Sequence, residues 1–138
     1  MALPSVGGGY QVGDGNLNEA QIGAMAAPLS QADSATLSAA QILAGVLLVG
    51  AGQTSAQTMT LPSAALLDAA LGNAKVGSTV SLTFVNTGTS SGTVAMAMGS
   101  GTGFTNGGNA TVAVAVTSSG QFMFRKTGDG AWSVYRVA

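Results

Sequence analysis

Apolar and polar positions divide this chain near residue 38. From 76 onward the pattern has a period of two. Thr79-Val80-Ser81-Leu82-Thr83-Phe84-Val85-Asn86 alternates and places Val80, Leu82 and Phe84 on one face of a strand. Thr93 to Met98 and Thr111 to Val116 repeat one another almost letter for letter, each with a large apolar face backed by alanine. Gln121 to Lys126 and Trp132 to Val137 complete the series, joined by the turn sequence Thr127-Gly128-Asp129-Gly130. Thr87 to Gly92 is expected as a turn. The glycine-rich stretch Gly99 to Asn109, with Phe104 at its middle, is expected as a loop.

Ahead of these strands the pattern is mixed. Ser38 is an N-cap and Gly45 a terminator for one or two helical turns over 38–45. Val46 to Val49 is a short buried strand, Gly50-Ala51-Gly52 breaks it, and Thr58 to Leu61 alternates again. Pro62 stands where a first helical residue belongs, and Ala64 to Leu71 is strong helix-forming sequence with Leu67 and Leu71 on one face. One short helix then precedes five strands, and short strands separated by Gly and Ser turns predict a sandwich or barrel.

Residues 1–37 show no sustained period. Gly7-Gly8-Gly9, Gly13, Gly15 and Gly23 alternate with isolated apolar residues: Leu3, Val6, Tyr10, Val12, Leu17, Ile22, Met25 and Leu29. A flexible tail fits the glycine content. An arm that orders on a partner fits the apolar residues, which otherwise have nothing to cover them. The expected organisation is therefore an extended arm, 1–37, and a β-rich domain, 38–138.

Composition sharpens this. Only 7% of the 138 residues are charged and the net charge is −1, against about 25% charged in an ordinary soluble domain. A lone monomer with so little charge has weak colloidal repulsion. Much of its surface is expected to be covered by other chains. The alanines at 95, 97, 113 and 115 fit a bland exposed face or close approach of another sheet or subunit, and the low charge favours the second. The four basic residues, Lys75, Arg125, Lys126 and Arg136, cannot build a broad phosphate-binding patch, so no nucleic-acid partner is expected. The most apolar stretch, Ala39 to Ala51, falls short of the ~20 residues of a membrane span. Met1-Ala2-Leu3-Pro4 carries no positive n-region, so no signal peptide is expected.

Catalytic sets are missing. There is no His and no Cys, which removes the commonest base, the thiolate nucleophile and cysteine-type zinc ligands. The acids Asp14, Glu19, Asp33, Asp68 and Asp129 show no paired spacing. Asp14-Gly15-Asn16 lacks the ligand spacing of a calcium loop, and Gly99-Ser100-Gly101-Thr102-Gly103 lacks the Gly-Lys-Ser/Thr ending of a P-loop. Arg125-Lys126 is expected as a solvated strand-end device. Trp132 and Tyr135 are expected as core or interface anchors. No enzymatic activity, cofactor or metal is expected, and a hydrolase is the least favoured class.

Thr36-Leu37-Ser38-Ala39-Ala40-Gln41-Ile42-Leu43, Leu61-Pro62-Ser63-Ala64-Ala65-Leu66-Leu67 and Val76-Gly77-Ser78-Thr79-Val80 occur in this order, followed by Val85-Asn86-Thr87-Gly88, Gly108-Asn109-Ala110-Thr111-Val112, Arg125-Lys126-Thr127-Gly128 and Ala131-Trp132-Ser133-Val134-Tyr135. Over residues 36–138 this set resembles the small β-rich modules of tailed-bacteriophage head decoration (cement) and head-fibre proteins. The resemblance implies a homotrimer on the capsid outer surface, partnered by the major capsid protein. The expected fold is mainly β: a small β-sandwich or barrel, jelly-roll-like or β-tulip-like, with one or two short helices and an extended N-terminal arm. Tyr10, Val12, Leu17, Ile22, Leu29, Trp132 and Tyr135 are the candidate capsid or subunit contacts. The competing expectation is a receptor- or glycan-binding module of a head or tail fibre, using loops 87–92 and 99–110 with Phe104, Trp132 and Tyr135.

Overall fold

The computed structural model describes residues 22–138. Its elements run β1 (Leu29–Gln31), β2 (Ala35–Thr36), α1 (Ala39–Leu43), β3 (Val46–Val49), β4 (Gln57–Thr60), α2 (Ala64–Ala70), β5 (Thr79–Asn86), β6 (Val94–Ala97), β7 (Phe104–Gly108), β8 (Ser119–Gly128) and β9 (Ala131–Arg136). The fold is mainly β with two short helices, as the periodicity predicts.

The strands form a six-stranded sheet in the order β1-β3-β5-β8-β9-β7 and a three-stranded sheet in the order β2-β4-β6. Successive strands β1 to β6 alternate between the two sheets, and every pairing among them is parallel. Parallel neighbours need a long crossover. Here each crossover passes through the opposite sheet, so the chain winds as a coil of three rungs. β8 and β9 then form an antiparallel hairpin on β5, and β7 closes the far edge parallel to β9. Jelly rolls are antiparallel, so the likeness to one ends at the two sheets.

Local chemistry explains the helix ends. Ser38 Oγ accepts from Gln41 N at 3.2 Å while Gln41 Oε1 accepts from Ser38 N at 2.9 Å, a reciprocal capping box. Gly45, at φ +84°, turns the chain out of α1. At α2 the cap is Ser63, whose hydroxyl accepts from Ala65 N. Pro62 therefore precedes the cap instead of opening the helix. The reason is that Leu61 N still donates to Ala97 O at 2.8 Å, so the chain is extended up to that point.

One core fills the space between the sheets. Leu47 and Val49, Leu82 and Phe84, Phe122 and Phe124, and Trp132 and Val134 meet Met59, Val94 and Met96 of the smaller sheet. Each such side chain contributes roughly 1.5–3 kcal/mol of burial. Phe84 and Phe122 pack with ring centroids 4.9 Å apart, and Phe104 meets Phe124 edge-on at 5.9 Å. The alternation expected for 79–86, 121–126 and 132–137 thus has the face it requires.

Three expectations are corrected. Residues 111–116 do not form a strand. Asn109 (φ 56°) and Thr117 (φ 52°) turn the chain on either side, leaving only the bridge of Val114 to Val94. Ala113 and Ala115 are exposed, not packed on a second sheet. The fifth late strand is instead β7, inside the expected glycine loop. Its ladder comes from β9, and Phe104 is buried, so tertiary pairing outweighs the low strand propensity of glycine. Finally, β1 and β2 pair with β3 and β4, and Leu37 lies in the core. Residues 29–37 thus pair into the β-rich unit, which among the described residues starts at Leu29 and not at residue 38.

Candidate functional site

The one ion pair among the described residues joins α2 to the β8–β9 hairpin. Lys126 Nζ lies 3.2 Å from Asp68 Oδ1, and Trp132 Nε1 donates to the same oxygen at 2.8 Å. Gly130 N donates to Asp68 Oδ2, and Lys126 Nζ also reaches Ala74 O at 3.4 Å. The Gly130 amide holds the Asp68 carboxyl below its ordinary value. Partial burial opposes this, and the Trp132 and Lys126 hydrogen bonds reinforce it. Lys126 is only 7% exposed. It is not the solvated strand-end device expected beside Arg125, because it occupies the inward phase of β8 behind Phe122 and Phe124.

This cluster ties α2 to the last hairpin. Both carboxylate oxygens accept from donors of the fold, and among the described residues no second acid shares them. A second buried polar group, Asn86, is used the same way. Its amide donates to Gly92 O (3.0 Å) and Val114 O (3.1 Å) and accepts from Gly88 N (3.0 Å). Among the described residues no buried side-chain nitrogen or oxygen lacks a partner, and no group of acids could hold a metal ion. No described helix is long and apolar enough to cross a membrane.

The expected contact residues are dispersed. Tyr10, Val12 and Leu17 lie outside the described residues. Ile22 is 92% exposed and Leu29 is 41% exposed. Trp132, expected as a contact, is fully enclosed in the core and presents nothing to a partner. Tyr135, three residues on, points to the opposite face of β9, where its ring lies against the bare backbone of Gly107. Leu29 pairs in register with Leu47 and faces the core side of β1. It is separated from β9 by four strand spacings, roughly 19 Å.

A different surface emerges from the sheet register. The outward positions of the six-stranded sheet bring Leu48 beside Val85, Thr83 between Val46 and Gln121, and Met123 between Ser81 and Tyr135. The outward strand positions of β3, β5, β8 and β9 carry one charge, Arg125. Val46, Leu48, Val85, Met123 and Tyr135 are all half-buried. The β1-β3-β5 part of the sheet is parallel, and all-parallel sheets are normally covered on both faces; the outward face has little charge to hold water. The signal was present in Val46-Leu47-Leu48-Val49, a continuous apolar run of the type that parallel strands covered on both faces carry.

Comparison with protein-family models, curated proteins and solved structures returns no match.

Proposed function

We propose that the chain is a structural virion protein, a capsid decoration (cement) protein that stabilises a phage head from its outer surface. It works by burial against other chains, with no catalysis. The observation that carries this is the weakly charged outward face of the six-stranded sheet, built around Leu48, Val85, Met123 and Tyr135. The Asp68–Lys126 pair and Asn86 are satisfied inside the fold, leaving the chemistry of contact to neutral surfaces. The homotrimer and the major capsid protein as partner come from the sequence resemblance.

Each well-buried Leu or Val is worth roughly 1.5–3 kcal/mol, while ordering an arm costs about 1–2 kcal/mol of backbone entropy per residue. One arm therefore binds weakly, and several on one assembly gain avidity. Such contacts depend little on salt. The competing receptor- or glycan-binding role has less support, because Phe104 and Trp132 are in the core and only Tyr135 of its three aromatics reaches a surface.

The test is binding to purified phage heads by the full chain and by a variant lacking residues 1–28, which keeps β1. Cryo-electron microscopy should show the full chain at regular sites on the outer shell and the shortened chain absent. Full occupancy by the shortened chain would reject the arm mechanism. No binding by either would reject the cement role.

A further inference from the structure

We infer that copies of this chain associate head to tail by strand donation: residues 22–28 of one copy pair with the open edge of β1 in the next. This does not depend on whether the resulting assembly belongs to a virion. The first rung of the coil is incomplete on its outer side. Among the described residues β1 pairs with β3 alone and β2 with β4 alone. A strand edge of this kind presents unpaired backbone donors and acceptors, which proteins guard with charges, bulges or proline. Leu29, Ser30 and Gln31 supply no charge, and Pro28 guards only the start of the strand. Leu29 faces the core side yet is 41% exposed, so its own side chain is left incompletely covered at this end.

The donor is immediately adjacent in sequence. Ile22-Gly23-Ala24-Met25-Ala26-Ala27-Pro28 is uncharged, non-helical and exposed at every residue, with Ile22 at 92% and Met25 at 60%. It cannot cover the β1 of its own chain. A hairpin back onto β1 would place its turn at Ala26-Ala27-Pro28. Tight hairpin turns need positive φ, which these residues do not adopt, and Pro28 has no amide to donate. A parallel pairing would need another full circuit of the coil. A neighbouring copy meets neither obstacle, and β-augmentation supplies backbone hydrogen bonds to both partners. Since donor and acceptor are different surfaces, each copy offers one of each. The contact is heterologous and closes as a ring where the rotation allows.

The chain has no cysteine, so introduced thiols report the contact directly. Full-length chains carrying Ser30→Cys are mixed with full-length chains carrying, in turn, Gly23→Cys, Ala24→Cys, Met25→Cys or Ala26→Cys, under mild oxidation. Strand pairing predicts inter-chain disulfides with a period of two: strong at 24 and 26 and weak at 23 and 25, or the reverse. Equal cross-linking at all four positions, or none, overturns the proposal. In parallel, Ile22→Asp with Met25→Asp changes only exposed side chains. It should convert the assembly to monomer on sedimentation with an unaltered circular dichroism spectrum. An unchanged oligomer, or a wild-type chain that sediments as monomer, overturns it equally.

Discussion

Asp68 and Trp132 stand 64 residues apart in sequence and are joined by one hydrogen bond, indole Nε1 to carboxylate Oδ1 at 2.8 Å. The bond fastens α2 to the last hairpin, and Lys126 and Gly130 close on the same carboxylate. Replacing Asp68 with Asn removes the charge opposite Lys126. The loss should be about 1–3 kcal/mol in denaturant unfolding, since the carboxylate is partly exposed and screened. The double change Asp68→Leu with Lys126→Met should cost less than Asp68→Leu alone. Additive losses would show that the two residues are not coupled.

The same carboxylate should govern part of the acid response. Its folded value is lowered beneath the ordinary 3.8, with the Gly130 amide as the main cause. The linked stability is therefore present above pH 3.8 and is lost as the pH falls through that value toward the folded one. The midpoint of urea unfolding should decline through this acid range in the wild type. Asp68→Asn should flatten that decline, and an unchanged slope would contradict the assignment.

Asn86 should be intolerant of an isosteric apolar residue. Asn86→Leu leaves Gly92 O and Gly88 N without their buried partner and takes one of two donors from Val114 O, which keeps Val94 N. The expected cost is roughly 2–5 kcal/mol. Amide exchange at Gly88 should accelerate in the same variant, which distinguishes loss of this bond from general loosening.

Two glycines with similar backbones should respond differently to alanine. Gly101 (φ +67°) has open space around it, so Gly101→Ala should cost about 1–2 kcal/mol from the backbone alone. A Cβ at Gly103 (φ +90°) would lie 2.1 Å from Gly130 O. Gly103→Ala should cost roughly 2–5 kcal/mol and loosen the hairpin that holds Asp68. Thermal unfolding of the two variants makes the comparison.

Charges on the outward sheet face should weaken association and spare the fold. Leu48 and Val85 are register neighbours and half-buried. A lysine at either position can extend its ammonium into water in the free chain. Against a covering chain that charge is buried. Leu48→Lys and Val85→Lys should each weaken binding to purified phage heads by roughly tenfold or more, measured by co-sedimentation, with little change in melting temperature.

Much of this was legible along the chain. Leu82 and Phe84, and Phe122 and Phe124, announce their strands by alternation, and Ser38 and Gly45 announce the ends of α1. The polar pins were legible too, though easily passed over. Asn86 and Lys126 each fall on the inward phase of an apolar series, where a polar side chain must find a partner. Their partners were not readable, because Asp68, Gly92 and Val114 reach them only through the folded chain. Residues 111–116 mislead for the opposite reason. Their alternation is strong, but Asn109 and Thr117 turn the backbone away from any ladder.

By itself, the sequence determined that this protein is a β-rich chain with one or two short helices and little charge. Those properties follow from local sterics, period-two burial and residue chemistry, which act over a few positions. The tertiary structure alone decided that β1 to β6 wind in parallel between two sheets, that Phe104 and Trp132 turn inward, and that β7 is a strand. Strand direction and partner choice depend on backbone hydrogen bonds between segments far apart in the chain. Such bonds are nearly blind to side-chain identity, so no local pattern specifies them.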